Sequence, residues 1–452
     1  MQYPIWDVPL LGGGMVIAIV AITHVMVAHF AVGAGLFTAA TEYRAYKQNR
    51  PLLIRFLKDY SRFLVLLSFV FGAITGVGIW FSIALVSPEA TSALIHQYVW
   101  GWATEWVFFI VEIVSGYVYY YTWDRMDPKK HLIVGWIYAI SAYMSLVIIN
   151  GILSFMLSPG LWLQTHSFWD GFFNPTYWPS LGLRTISAFA ITAIFVAIAV
   201  NMNKGYSREE RQEIINESSR WLVPLASMLP ISLWYFYQAP DAARQLVMGG
   251  AIAMTLFFLF GIAASTLVGL YAYIGLVLKK RYINLETSIL LGAIAFIATG
   301  SMEFVREGIR KPYVIYDYMY SNGILKADEA ALNEKGVLGW APWTAVAMGV
   351  EAGTMTPVQR GEALYRAQCL RCHTVDGTNG IVPLIKNWPE ESITHALETL
   401  HVEQYYMPPF IGPEKDKNDL TLFLRELAEK GSAVLSRNAG ATKANTNKED
   451  RS

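Results

Sequence analysis

The sequence predicts an all-α protein: a polytopic membrane bundle of about eight transmembrane helices, followed by a small soluble helical domain. Three observations carry that expectation. The chain has 452 residues, 54% hydrophobic and 15% charged, where soluble proteins carry roughly 25% charged residues. The charge deficit is concentrated before residue 310, where eight apolar segments approach the ~20 residues needed to cross a bilayer core. Near the other end stands Cys369-Leu370-Arg371-Cys372-His373, a C-x-x-C-H box containing both cysteines of the chain.

The expected spans are 11–41, 63–87, 98–123, 132–157, 181–202, 221–237, 245–278 and 288–305. The sixth is the shortest and contains Pro224 and Pro230, so a kink is expected there. Loop charge gives the orientation. Arg44, Lys47, Arg50, Arg55, Lys58 and Arg62 crowd the first loop; Arg125, Lys129 and Lys130 the third; Lys204, Arg208, Arg211 and Arg220 the fifth; Lys279, Lys280 and Arg281 the seventh. The second and fourth loops carry no Lys or Arg, and the sixth carries only Arg244. The positive-inside rule then puts the odd loops in the cytoplasm and both termini outside. The first ten residues lack a basic region and a small-residue cleavage site, so the first span is expected to serve as its own uncleaved export signal. The aromatic loop 160–178 reads as an interfacial belt, and the polar stretch after residue 430 as a disordered tail. Net charge is zero, and no nucleic-acid partner is expected.

The box at 369–373 is the attachment pattern for a c-type haem. Its two thiols add to the haem vinyl groups, and His373 is placed to ligate the iron. The second axial ligand expected is Met407, in Tyr405-Tyr406-Met407-Pro408-Pro409-Phe410. Two prolines stiffen that loop, and a His/Met pair raises the reduction potential. A thioredoxin-like redox pair would need a βαβ context, and a zinc site would need further ligands nearby. Residues 353–435 resemble a small class I cytochrome c: a helix over Pro357–Gln368, the box, Gly380 to Leu384, a helix near 391–400, the Met loop and a last helix over 417–429. The external placement agrees with the side on which bacteria attach haem c, which makes the expected location the bacterial inner (cytoplasmic) membrane with periplasmic termini. The division expected is a membrane domain at 1–313, a linker at 314–352, the cytochrome domain at 353–436 and a disordered tail at 437–452.

Ionisable groups inside a membrane span are costly and point to function. His24 and His29 lie in the first span. Glu105 and Glu112 lie seven apart in the third, hence on one face. Arg184 opens the fifth, and Glu303, Arg306, Glu307 and Arg310 close the eighth. Spacing alone leaves structural hydrogen bonds and an interfacial ion-pair cluster open for these groups.

Residues 10–313 resemble the large subunit of cytochrome bd oxidase. The carriers are Thr23-His24 with Gly33 and Glu42, Thr75-Gly76, Glu105 and Glu112 followed by Trp123-Asp124-Arg125, Asn150-Gly151, and Glu307-Gly308-Ile309-Arg310-Lys311-Pro312-Tyr313. The resemblance implies that His24 and Glu307 ligate two high-spin haems, of b and/or d type. It also implies that Glu105 and Glu112 deliver protons and that Arg310 meets a haem propionate or a carboxylate. A second membrane subunit and O2 are the implied partners. His29 has no counterpart in the family and reads as structural.

The departures are specific. The family's low-spin haem b takes a histidine at the start of the fifth span, where this chain has Arg184, which stays protonated and cannot bind iron. Met248 matches the family's second ligand. The long quinol-binding loop is reduced to about residues 238–244, and a cytochrome c domain stands in place of a ninth helix. The expected function is therefore an oxygen reductase fed through haem c by a soluble cytochrome c or a periplasmic dehydrogenase. Two alternatives stay open: an electron relay without O2 chemistry, and reduction of another small ligand such as nitric oxide.

Overall fold

The computed structural model describes residues 2–436; the tail expected at 437–452 lies outside them. Among the described residues six helices are long and apolar enough to cross a bilayer. They are α1 (Gly13–Lys47), α2 (Pro51–Val86), α4 (Pro128–Phe155), α5 (Tyr177–Met202), α7 (Ile252–Leu278) and α8 (Leu285–Gly308). The third expected span is the continuous helix α3 (Val99–Tyr121), whose aromatic residues, Glu105 and Glu112 lower its apolar character. The sixth is divided into a 3-10 segment, Arg220–Ser227 with Pro224 inside it, and a short helix, α6 (Met228–Gln238). Proline removes one helical N–H and crowds the carbonyl four residues back. Helix α7 starts later than the sequence suggests, because Gly249 adopts φ +113° just before it.

The chain forms two compact units. The membrane unit comprises Val20–Ile79 and Leu94–Ile309. Its core is aromatic and aliphatic, with Phe30, Phe37, Phe56, Tyr60 and Tyr138 almost wholly buried. Outward-facing Ile74, Val77 and Ile252 stay exposed, as lipid-facing side chains do. Gly33 lets α1 and α5 touch: a Cβ there would lie 2.3 Å from the Ala188 carbonyl oxygen.

The second unit is built from the described parts of Met1–Ile19, Trp80–Ala93 and Arg310–Ser452. Helix α9 (Pro357–Gln368) starts with Pro357 in its first turn and a reciprocal cap, Thr356 with Gln359, which satisfies two otherwise orphaned N–H groups. It packs with α10 (Glu390–Glu403) and α11 (Glu414–Lys430) around Leu364, Tyr365, Leu397, Leu420, Phe423 and Leu427. The stretch expected as a linker joins the same core through Tyr320, Ile324, Leu332, Val337 and Trp343. It carries a small antiparallel pair, β1 (Tyr313–Ile315) and β2 (Met319–Tyr320). The expected disorder does not begin at residue 431: Gly431–Val434 forms a 3-10 turn, and the Ser436 N–H donates to Glu362 Oε2 at 2.8 Å.

The N-terminal segment packs on this core. Gln2 is 2% exposed. Its Nε2 donates to the carbonyls of Asn322 (3.1 Å) and Ala367 (3.0 Å), and its Oε1 accepts from Trp343 Nε1 (3.1 Å). Leu10 offers its carbonyl to the Thr378 N–H at 2.8 Å. Arg371, inside the C-x-x-C-H box, pairs with buried Glu89, which also accepts from the Tyr3 N–H at 2.9 Å.

Candidate haem sites

The box begins where α9 ends. The N–H of Cys369 donates to the Tyr365 carbonyl, and those of Cys372 and His373 donate to the Cys369 carbonyl, at 2.8, 3.0 and 3.0 Å. This tight turn leaves both thiols free, Cys369 partly covered and Cys372 exposed. Burial, reinforced by the neighbouring Cys372, pushes the Cys369 thiol up to about 12. His373 Nδ1 lies 3.0 Å from the Asn379 carbonyl. Such a bond on one ring nitrogen orients the imidazole and leaves Nε2 as the ligating atom. Burial holds His373 below the ordinary histidine value, against the Asn379 bond, while Lys311 adds to the lowering. The ring is thus kept in the neutral form that binds metal. Two free thiols and an oriented neutral imidazole fit a covalent haem. Among the described residues no group of three or more His, Cys, Asp or Glu side chains could hold a metal ion, so the zinc alternative lacks ligands.

The Met407 loop is fastened to the same helix. Gln368, one residue before Cys369, donates to the Ile411 carbonyl (2.8 Å) and accepts from the Ile411 N–H (3.0 Å). His401 Nδ1 lies 3.1 Å from the Met407 carbonyl. Gln368, Asn379, His401 and Arg371 escaped the sequence reading, because each acts through a backbone atom or a distant partner that no motif marks.

In the membrane unit, His24 Nδ1 lies 3.1 Å from Thr75 Oγ1. Its ring rests on Gly76, where an added Cβ would come within 3.1 Å of Cε1. The Thr75-Gly76 pair thus orients the imidazole and makes room for it, which fits a haem ligand. Glu105 accepts from Ser145 Oγ of α4 at 2.8 Å. Glu112, two turns on, is buried. Further along α3 a buried hydrogen-bonded group lies: Glu42 Oε1 is 2.8 Å from His131 Nδ1, and His131 Nε2 is 2.9 Å from the Tyr119 carbonyl. Sequence reading named Glu42 and missed His131.

Glu303 and Arg306 pair at 2.8 Å. Glu307 is exposed. Arg310 is buried in the second unit, with Nη1 donating to the Val314 carbonyl at 2.9 Å. Lys311 Nζ lies 3.8 Å from Cys372 Sγ.

Comparison with known proteins agrees with this arrangement. The family model for cytochrome bd terminal oxidase subunit I matches residues 15–245, more than half of the chain. That for cytochrome c oxidase, cbb3-type, subunit III matches residues 356–424. The structure of bd oxidase from Geobacillus thermodenitrificans aligns over 74% of this chain and 95% of its own, at 16% identity and a TM-score of 0.58, a likeness of fold. No curated protein matches. The cytochrome c domain implies haem c, and the membrane unit implies further haems. This multi-pass membrane protein belongs to the cytochrome bd terminal oxidase subunit I family, with a cytochrome c domain added to it.

Proposed function

We propose that this chain is the catalytic subunit of an oxygen reductase that receives electrons at its own haem c rather than from quinol. The observation that carries the reading is a cytochrome c domain with a C-x-x-C-H box joined to a bd-family membrane unit in which only Ala239 and Pro240 separate α6 from the next helical turn. A donor loop has no room there. The donor class proposed is a soluble cytochrome c or a periplasmic dehydrogenase. The haem irons, when bound, supply electron transfer and the O2 chemistry.

The chain's residues hold and position. Cys369, Cys372, His373 and Met407 hold the covalent haem. His24, oriented by Thr75, holds one buried haem, and Glu307 is assigned the other. The family match ends at residue 245, so Glu307 and Arg310 rest on the Glu-Gly-Ile-Arg-Lys-Pro sequence alone. Reduction of O2 to water consumes as many protons as electrons. Glu105, held by Ser145, and Glu112 can pass them along one face of α3. The protein is placed in the bacterial inner membrane with both termini periplasmic, and a second membrane subunit covers part of the exposed apolar surface.

The test is O2 uptake by the purified protein. Reduced cytochrome c should support it; quinol should not, and quinol-site inhibitors should have no effect. CO-difference spectra should show a CO-reactive haem that His24→Ala and Glu307→Ala remove while the haem c bands persist. If both variants bind CO as the parent does, the reading fails in favour of an electron relay. Quinol-driven uptake would overturn the proposed donor.

A further inference from the structure

The Met407 loop has no regular structure to place its side chain: residues 404–413 form neither helix nor strand. A methionine side chain turns about three bonds and ends in a weak acceptor. Only a fixed backbone can then keep its sulfur at one place. Two bonds fix the backbone of Met407 itself. Its N–H donates to the Gln404 carbonyl at 2.7 Å, which closes a tight turn directly after α10. Its carbonyl faces His401 Nδ1 at 3.1 Å. A carbonyl can only accept, so Nδ1 carries the proton and is the donor.

Both bonds lead back to the last turn of α10. His401 lies inside that helix, and the Gln404 N–H donates to the Leu400 carbonyl at 3.0 Å. The helix is anchored in the core through Ile393 and Leu397. Beyond Met407 the loop is held by other residues. Pro408 and Pro409 fix their own φ. Gln368 bonds to both the carbonyl and the N–H of Ile411, and the Gly412 N–H donates to Asn333 Oδ1 at 2.9 Å. The side-chain tie at Met407 itself comes from His401, a residue outside the C-x-x-C-H box.

We propose that His401 is a positioning residue for Met407: its Nδ1–H holds the Met407 carbonyl and so keeps the sulfur on the iron of haem c. The inference rests on the proposed function in taking Met407 as the second axial ligand. His401 acts through the backbone of another residue, so its loss should loosen the sulfur without removing it.

The test uses full-length ferric protein purified from membranes. Added imidazole competes with the Met407 sulfur for the iron, and loss of the near-infrared band of sulfur-ligated haem follows the exchange. A ligand that binds only the Met-detached form has its apparent affinity set by the population of that form. A hydrogen bond of ordinary strength changes a local equilibrium by about five- to tenfold. His401→Leu should therefore bind imidazole about five- to tenfold more tightly than the parent, with the haem-stained gel band unchanged. His401→Asn keeps an N–H donor at the place of Nδ1 and should recover most of the parent's resistance. A role in packing alone would give the opposite order, because leucine fills the site better than asparagine. Equal affinity in the parent and His401→Leu overturns the proposal, as does His401→Asn binding imidazole as tightly as His401→Leu. A parent that lacks the near-infrared band overturns the Met407 assignment and the inference with it; a parent that has the band, with no effect at His401, overturns the inference alone. Should His401→Leu fail to accumulate, His401→Gln takes its place. Its donor sits one carbon farther out, so it should bind imidazole more tightly than His401→Asn, and equal affinities overturn the proposal.

Discussion

Cys369 and Cys372 lie three residues apart yet face different chemistry. Burial raises the Cys369 thiol to about 12, whereas Cys372 is exposed. The thiolate is the reactive form, and the shift runs from 9.0 to about 12. Below pH 9 the Cys369 thiolate fraction is therefore about a thousandfold lower than in a free thiol. In protein prepared without haem, iodoacetamide should label Cys372 and spare Cys369 at pH 8. Labelling of Cys369 should rise about tenfold per pH unit up to its pKa, read by mass spectrometry. Equal rates at pH 8 would contradict the difference in cover between the two thiols. The second prediction concerns Met407. Met407→Ala should abolish the near-infrared band of sulfur-ligated ferric haem while the haem-stained gel band remains; Cys372→Ala should abolish the stain. The cytochrome c domain was legible because haem attachment demands the fixed spacing of the box. Gln368, which ties the box to Ile411, and Asn379, which meets His373, were not legible, because bonds through backbone atoms leave no pattern in sequence.

Helices follow the same logic on a larger length. Hydrophobic length alone marked α1, α2, α4, α5 and α8, since a bilayer imposes a minimum apolar run. It missed the start of α7, where the backbone torsion at Gly249 sets the boundary rather than side-chain polarity. The contact of α1 with α5 gives a third prediction. In Gly33→Ala the new methyl would meet a backbone carbonyl, which cannot rotate away. The helices must separate, at a cost of about 1–3 kcal/mol. Thermal unfolding in detergent should show a lower Tm, and a Tm equal to that of the parent would mean that the two helices slide freely.

At the scale of the whole molecule, the cytochrome unit is assembled from three separate stretches of chain, a connectivity that apolar periodicity does not reveal. Arg371 and Glu89 tie two of these stretches together with side chains 3% and 7% exposed. Burial pulls the Arg371 guanidinium down and Glu89 opposes that effect. Removing one partner leaves the other charge buried and uncompensated, at about 3–5 kcal/mol. Glu89→Gln should therefore lower the stability of this unit strongly, as followed by the haem c Soret band during denaturant titration. Replacing both residues by leucine should cost much less. Equal losses in the single and double variants would mean that the pair is not the main contact.

The contacts of Gln2 set a timetable for biosynthesis. Its partners Asn322, Trp343 and Ala367 follow it by 320, 341 and 365 residues. Ribosomes add about 5–20 residues per second, so the segment carrying Gln2 waits on the order of tens of seconds for the surface it packs against. Helices form in about a microsecond and can enter the bilayer during that interval. The cytochrome unit thus closes late, and Cys369 and Cys372 come into their final setting after most of the membrane helices have been made.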